Sequence, residues 1–229
     1  MNTILIATRN AHKVGEIRAI LGTGYHCLTL NDFPEAPAVV EDADTFAGNA
    51  TKKAVELARW LVLSPGSSIN RQPSTFNYVL ADDSGLEVDA LNGAPGVHSA
   101  RFAADDSLRS GNTPDADNNA KLLRLLKEVP AGKRTARFRC VIAWTPVVIQ
   151  VSSPVCYRGD GEGQTELFDG VCEGRMICEP RGGNGFGYDP LFVPNGHDQT
   201  FAELGDDVKN RLSHRARALE KLKACLTTM

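Results

Sequence analysis

Short apolar runs alternate with segments of helical periodicity along the first part of the chain. The apolar residues within 3–8 predict a strand, and those within 25–30 predict a second one. Between them, apolar residues recur at helical spacing behind Asn10, whose side chain is suited to cap a helix. These apolar residues are Val14, Ile17, Ile20 and Leu21. The pattern predicts a strand, a helix and a strand at the start of the chain.

The same alternation continues through the rest of the sequence. A helix is predicted over 46–63 behind a Thr45 cap, with its inner face formed by Phe46, Ala50, Leu57 and Leu61. The further predicted elements are a strand over 78–81, a helix over 115–129, a half-buried strand over 134–144, more sheet up to residue 176 and a final helix from Ser213. This mixture predicts an α/β fold with a mixed sheet flanked by helices.

Length and charge limit the class of protein. The 229 residues suit one large domain or two small lobes, and the net charge of -3 argues against a general nucleic-acid binder, which needs a basic surface. No apolar run approaches the roughly 18 residues of a membrane span, and the first residues lack the pattern of a secretory signal. The six cysteines form no CxxC pair, which fits reduced thiols. We therefore expect a cytoplasmic protein that does not associate with membranes.

Two adjacent aspartates follow the strand predicted over residues 78–81. Asp82 and Asp83 repel each other and are costly to bury, so we expect the strand to end before them. A solvated Asp-Asp-Ser-Gly turn is the simplest interpretation. The alternative is a carboxylate pair with a chemical task, facing a cation or hydrogen-bond donors.

Polar residues also follow the first predicted strand. Thr8, Asn10 and Lys13 place a hydroxyl, an amide and a cation beside the backbone N–H groups of a helix start, which favours an anion. The segment is not a glycine-rich P-loop, and a capped helix with a surface lysine is the competing interpretation.

Glu41 and Lys53 lie on either side of the start of the second predicted helix. They can be ordinary solvated side chains. Together with Asp82 and Asp83, however, Glu41 completes a set of carboxylates suited to Mg²⁺, which prefers oxygen ligands and keeps some of its water.

The segment GGNGFGYDP surrounds Phe186 with glycines. Glycine lets the backbone approach a ligand closely, and an aromatic ring on such a loop can stack on a base, which contributes about 1–3 kcal/mol per base. A glycine-rich turn that ends in a buried Phe186 is the competing interpretation. Asp189, three residues later, is a candidate for a hydrogen bond to the edge of the base.

The segment VKNRLSHRARAL places Lys209, His214 and Arg215 around the start of the final predicted helix, beside Ser213 as its cap. Cations at a helix N-terminus oppose the helix dipole, and a bound anion or base carbonyl would remove that conflict. An exposed basic surface is the alternative. These segments together supply what a nucleoside triphosphate needs: sites for phosphates, metal and base, with Asp83 as a base for water.

Five segments of the sequence resemble the ITPase family, the pyrophosphatases of non-standard purine nucleoside triphosphates. They are TRNAHK, TFAGNATKKA, ADDSGLEVDALNGAPGVHSARF, GGNGFGYDPLFVP and SHRARAL, and they occur in the family's order nearly from end to end. The resemblance implies a single domain over residues 1–229, with an elongated mixed α/β sheet and two lobes around a central cleft that holds the site. It also implies a homodimer that uses Mg²⁺, with Mn²⁺ as an alternative, to hydrolyse ITP, dITP and XTP to the monophosphate and pyrophosphate.

The same resemblance implies roles for individual residues. Those expected to bind substrate are Thr8, Arg9, Asn10, Lys13, Lys53, Ser84, Phe186, Gly187, Tyr188, Asp189, Lys209, His214 and Arg215. Glu41 and Asp83 are expected to hold the metal, with Asp82 as a further candidate, and Asp83 is expected to accept the proton of the attacking water. N–H groups of His214 and Arg215 would donate to the 6-oxo group of hypoxanthine or xanthine, whereas the 6-amino group of adenine, itself a donor, would oppose them.

The chain departs from the family pattern at a few places. Gly48 stands where the family often has Glu, and Arg9 replaces a smaller residue. Two apparent insertions, over residues 64–77 and 147–170, are expected to be surface loops or sites for a partner. Two alternative functions stay open: an aspartyl phosphatase in which Asp83 attacks phosphorus and releases orthophosphate, and a nucleotide-binding regulator without turnover.

Overall fold

The structure is a computed structural model that describes residues 2–63, 76–104, 111–147 and 164–227. The strands in these ranges are β1 (Asn2–Ile6), β2 (Tyr25–Thr29), β3 (Tyr78–Val88), β4 (Thr135–Pro146), β5 (Glu166–Met176) and β6 (Phe192–Pro194). The helices are α1 (Ala11–Leu21), α2 (Phe46–Leu63), α3 (Asp115–Leu126), α4 (Phe201–Leu204), α5 (Asp206–Leu212) and α6 (His214–Thr227). Short 3-10 helices lie at Gly22–Gly24, Leu30–Asp32, Asp89–Leu91, Gly96–Arg101 and Ala131–Lys133.

The strands form one sheet in the order β2-β1-β3-β4-β5-β6. β1 pairs in parallel with both β2 and β3, whereas β5 and β6 pair antiparallel. The predicted mixed α/β fold is confirmed. The single domain with two lobes and a central cleft stays a prediction.

The chain falls into two compact units, whose three boundaries lie inside β3, β4 and β5. The first unit consists of Met1–Asp83 and Val141–Phe168, and the second of Ser84–Cys140 and Asp169–Met229. Each unit has a hydrophobic core of its own.

The core of the first unit contains the residues that the helical and strand patterns place inside. Buried side chains include Ile4, Leu5, Ile6, Val14, Ile17, Leu21, Phe46, Ala50, Leu57 and Leu61. The Trp144 ring stacks on Tyr78 with 4.3 Å between centroids. The Asn10 side chain accepts hydrogen bonds from the backbone N–H groups of His12 and Lys13, so the predicted cap of α1 is confirmed. The predicted Thr45 cap of α2 is likewise confirmed, by a 3.0 Å hydrogen bond from the Gly48 N–H to Thr45 Oγ1.

The strand expected to end before Asp82 does not end there. β3 continues through Asp82 and Asp83 to Val88, and both aspartates are buried within it. The interpretation of Asp82 and Asp83 as a solvated turn is therefore wrong. Lysine side chains from α1 and α2 meet this part of the strand, which supplies the compensation that two buried aspartates require.

The core of the second unit joins β3, α3, β4, β5 and the chain around β6. Its buried members are Leu86, Val88, Leu122, Leu126, Ala136, Phe138, Cys172, Met176, Tyr188, Leu191, Phe192 and Phe201. α6 packs so closely on β5 that a Cβ at Gly170 would overlap the backbone of His214 and Ala218. The His214 ring stacks on Phe138, with 4.8 Å between centroids, and this fixes the first turn of α6.

Some predicted boundaries differ from the structure. α3 ends at Leu126 rather than at residue 129, and Lys209 lies in α5, a helix separate from α6. The insertions predicted over 64–77 and 147–170 lie largely outside the described residues, although β5 begins at Glu166 within the second of them. In the described part of the chain, no helix is both long and apolar enough to cross a membrane.

Candidate active site

Asp82 of β3 forms an ion pair with Lys13 of α1 in the first unit. The Asp82 side chain is 1% exposed and that of Lys13 is 19% exposed. A buried carboxylate needs a close cation, and this partner holds the ammonium group of Lys13 in one place. The predicted phosphate ligand Lys13 and the candidate metal ligand Asp82 are thus partners of each other.

Lys53 of α2 reaches the same part of β3. Its Nζ donates to the backbone oxygen of Asp82 at 3.0 Å and lies 3.0 Å from Oε1 of Glu41. The structure therefore brings together Glu41, Lys53 and Asp82, which are far apart in the sequence.

Asp83 is buried beside these groups. Burial raises the pKa of its carboxyl to about 6, an effect that the charges of Lys53 and Lys13 oppose and that the negative charge of Glu41 reinforces. A carboxyl with a pKa near neutrality can accept a proton and later release it at physiological pH. This is the property expected of a general base.

Asn49 of α2 is a member of this cluster that sequence reasoning missed. Its side chain is buried, hydrogen-bonds to Asp83, and pairs with both the N–H and the C=O of Ala43. Asn49 and Lys53 lie at positions i and i+4 on the apolar face of α2. Two polar residues at helical spacing on a buried face are a signal that could have identified Asn49.

The residues between β1 and α1 mostly contact the backbone around them. Thr8 Oγ1 accepts from the Asn10 N–H at 3.1 Å, and Arg9 donates to the Ala36 carbonyl at 3.3 Å. Arg9 and Asn10 are exposed. Their roles in binding phosphate stay predictions.

The carboxylates of the first unit are the candidate ligands for a metal ion. Within the described ranges, no group of three or more His, Cys, Asp or Glu side chains is arranged to hold a metal ion. Mg²⁺ is commonly held by one or two carboxylates together with substrate phosphates, so a complete protein cage is not required. The negative charge of Glu41 acts on the Asp83 carboxyl, so these two carboxylates are the candidate pair for such a site.

The second unit holds the predicted base-binding residues. Lys209 Nζ lies over the Phe186 ring, 4.3 Å from its centroid, and forms an ion pair with Asp189. Asp189 Oδ2 also accepts a 2.9 Å hydrogen bond from the Phe186 N–H. A Cβ at Gly185 would overlap the Asp189 carboxylate, which explains the glycine there. A base stacked on Phe186 would have to use the face opposite Lys209.

Tyr188 and Gly187 are held by other elements of the second unit. The Tyr188 hydroxyl is buried and donates to the Ser99 carbonyl at 2.9 Å, and burial raises its pKa. Gly187 is bonded at both its N–H and its C=O by Asp115 and Asn119 of α3. The sequence offers no reason to assign Asp115 or Asn119 to the site.

The start of α6 provides the last predicted group. His214 and Arg215 are buried, and the Arg215 guanidinium donates to Ser84 Oγ at 2.9 Å. Ser84 directly follows Asp83 in β3. The Ser213 side chain accepts from the Ala216 N–H, so its predicted capping role is confirmed.

One departure from the family pattern has a local packing reason. A Cβ at Gly48 would lie 2.8 Å from the Ala43 side chain and 3.0 Å from Thr45 Oγ1. The segment before α2 therefore packs against Gly48 in a way that a larger residue would disturb.

A model of the Ham1 family matches residues 4–225. This chain belongs to the Ham1 family. Of the relatives of this Ham1 protein, the dITP/XTP pyrophosphatase of Opitutus terrae is 48% identical over 224 residues, covering 95% of each chain. That of Shouchella clausii is 43% identical over 224 residues, covering 97% of this chain and 96% of its own.

Solved structures of the family agree. A HAM1 protein from Coxiella burnetii superposes with a TM-score of 0.74 at 35% identity, with 100% of both chains covered. The Ham1 protein of Staphylococcus aureus gives a TM-score of 0.73 at 33% identity, with 99% of both chains covered. The resemblance found in the sequence motifs of this Ham1 protein is confirmed.

Proposed function

We propose that this Ham1-family protein is a nucleoside triphosphate pyrophosphatase that hydrolyses ITP, dITP and XTP to the monophosphate and pyrophosphate, and so removes non-standard purine nucleotides from the nucleotide pool. Relatives that match nearly the whole chain are named dITP/XTP pyrophosphatases. The observation that carries the chemistry is the buried Asp83 carboxyl with a pKa of about 6, beside Lys13 and Lys53.

In this proposal the first unit binds the triphosphate. Thr8, Arg9, Asn10, Lys13 and Lys53 contact phosphate oxygens. Asp83 takes a proton from the water that attacks the α-phosphorus, and pyrophosphate leaves. Lys13 and Lys53 balance the negative charge that develops in the transition state, a role for which fixed ammonium groups are suited. Asp82 keeps Lys13 in place.

Glu41 and Asp83 would hold Mg²⁺, or Mn²⁺ in its place, and the ion would neutralise phosphate charge. Asp82 is the weaker candidate as a ligand, because Lys13 already compensates its charge. Metal binding at Glu41 also competes with the pairing of Glu41 and Lys53.

The second unit selects the base. Phe186 stacks on the purine, while Gly187, Tyr188, Asp189 and Lys209 shape the loop around it, and Ser84 contacts the substrate. Donors on His214 and Arg215 meet the 6-oxo group of hypoxanthine or xanthine. The 6-amino group of adenine would face the same donors and leave them unsatisfied, at a cost of about 1–3 kcal/mol.

The remaining features of the proposal concern the protein as a whole. It acts in the cytoplasm as a homodimer, and its partners are purine nucleoside triphosphates rather than nucleic acids or membranes. Light scattering after size-exclusion chromatography tests the dimer directly.

The deciding experiment is a product assay. Purified protein is incubated with ITP, XTP or ATP in Mg²⁺ or in EDTA, and the products are separated by ion-exchange chromatography. We expect monophosphate and pyrophosphate from ITP and XTP, little product from ATP and none in EDTA.

Other products would contradict the proposal in distinct ways. Inosine diphosphate with orthophosphate would place the cleavage between the β- and γ-phosphates, as in the aspartyl phosphatase alternative. Tight binding of ITP without any product would indicate a nucleotide-binding regulator.

A further inference from the structure

Gly187 lies in the loop that carries Phe186, and side chains of α3 hydrogen-bond to both its backbone N–H and its backbone C=O. The Gly187 N–H donates to Asp115 Oδ2 at 2.7 Å, and the Gly187 C=O accepts from Asn119 Nδ2 at 3.0 Å. Asp115 and Asn119 lie four residues apart, so their side chains lie on the same face of the helix. α3 thus presents one acceptor and one donor, matched to one residue of the loop.

The loop needs such a restraint because of its backbone. Gly185 and Gly187 both have positive φ angles, of 77° and 62°. Glycine is conformationally permissive, so a loop built on two glycines has much freedom to lose when it is ordered. Phe186 lies between them, and the direction of its ring depends on both.

The Asn119 amide offers a second argument. Its oxygen is buried and has no hydrogen-bond partner among the described residues. A buried unsatisfied oxygen is unfavourable, and an apolar side chain would avoid it. The hydrogen bond that the Asn119 amide does make is from Nδ2 to the Gly187 carbonyl, and this bond is the reason for a polar residue at this position.

We propose that Asp115 and Asn119 are positioning residues that fix the Phe186 loop and thereby set base selection, an inference that rests on the proposed function. Neither residue needs to touch the nucleotide. Because the base does not change during the reaction, its contacts are the same in the ground and transition states. Loss of the restraint should therefore raise KM without lowering kcat.

The test uses substitutions that separate hydrogen bonding from charge. Asp115→Ala removes the acceptor, whereas Asp115→Asn keeps an oxygen that can accept from Gly187. Asn119→Asp keeps the shape but removes the donor and places a carboxylate against the Gly187 carbonyl. Asp117→Ala is the matched control, because Asp117 is an exposed acidic residue in the same first turn of α3.

Steady-state kinetics with ITP and ATP, together with thermal unfolding, give the answer. We expect Asp115→Ala and Asn119→Asp to raise KM for ITP by about tenfold, the effect of losing one hydrogen bond to a charged or buried group. The change in kcat should stay within about twofold, and the preference for ITP over ATP should fall. Asp115→Asn should recover most of the wild-type KM, and Asp117→Ala should match the wild type.

Three outcomes would overturn the inference. If the wild type hydrolyses ITP and both variants match Asp117→Ala, the positioning role is wrong while the proposed function stands. If the variants lower the unfolding temperature but keep KM and the ITP preference, the contacts only stabilise the fold. If the wild type itself hydrolyses neither ITP nor XTP, the proposed function fails and the inference fails with it.

Discussion

The ammonium group of Lys13 is paired with the carboxylate of Asp82, and this links α1 to β3 through a nearly fully buried charge. Lys13→Met would remove the ammonium group that pairs with this buried carboxylate. We expect a loss of about 2 kcal/mol in the free energy of unfolding, less than for a fully buried pair because Lys13 is 19% exposed. Urea unfolding at pH 7 measures this loss.

A double-mutant cycle completes this prediction. Asp82→Asn in the Lys13→Met background should recover much of the lost stability, because it removes the buried charge with which Lys13 was paired. Lys52→Met is the control, since Lys52 pairs with Asp42 on the surface and its removal should change stability little. Additive effects of the two changes at Lys13 and Asp82 would show that the ion pair is not the cause.

The second prediction concerns the proposed base. Asp83→Asn keeps the size of the side chain but cannot accept a proton, so kcat for ITP should fall by a factor of about 10² to 10⁴. Asp42→Asn, which also removes a carboxylate from the first unit, should stay close to the wild type. Both are measured by pyrophosphate release. Wild-type kcat in Asp83→Asn would exclude Asp83 as the base.

The pKa of Asp83 leads to a third prediction, about stability. Its pKa is raised to about 6 in the folded protein from an ordinary value of 3.8, so folding favours the protonated form. Asp83 therefore contributes stability below pH 4, and this contribution is lost as the pH rises through 6. Asp83→Asn does not ionise, so at pH 8 in EDTA it should be more stable than the wild type by about 2–3 kcal/mol.

Urea unfolding at intervals from pH 4 to pH 8 tests this relationship. The difference between the two proteins should shrink steadily towards pH 4. Subtracting the two curves removes the other titrating groups, which both proteins share. A difference that is independent of pH would mean that the Asp83 carboxyl has an ordinary pKa.

A fourth prediction concerns the packing of α6 on β5. Gly170→Ala would place a methyl group against the backbone of His214 and Ala218. A side chain could relieve such an overlap by changing rotamer, but backbone atoms cannot. We expect a loss of about 1–3 kcal/mol in the free energy of unfolding. KM for ITP should also rise, because α6 carries His214 and Arg215.

Gly132→Ala provides the comparison for this change. A Cβ at Gly132 has nothing within 4 Å, so the substitution should leave stability and KM nearly unchanged. Equal stability of Gly170→Ala and Gly132→Ala would show that α6 can shift without cost.

Much of the architecture was determined by the sequence alone. Helical spacing and caps identified α1 and α2, because a capped amphipathic helix depends mainly on residues within a few positions of one another. The motifs identified the family because they combine residue types whose chemistry is specific. Local patterns gave a wrong prediction at Asp82 and Asp83, because two adjacent carboxylates are typical of a solvated turn at the end of a strand.

Only the tertiary structure decided that this strand continues. The cations that make it acceptable come from Lys13 and Lys53, on helices that are 69 and 29 residues away from Asp82 in the sequence. The tertiary structure likewise brings Asn119 into contact with Gly187, which lies 68 residues away in the sequence. The energy of a buried charge or a flexible loop depends on what surrounds it in space, and a sequence pattern describes only what precedes and follows it along the chain.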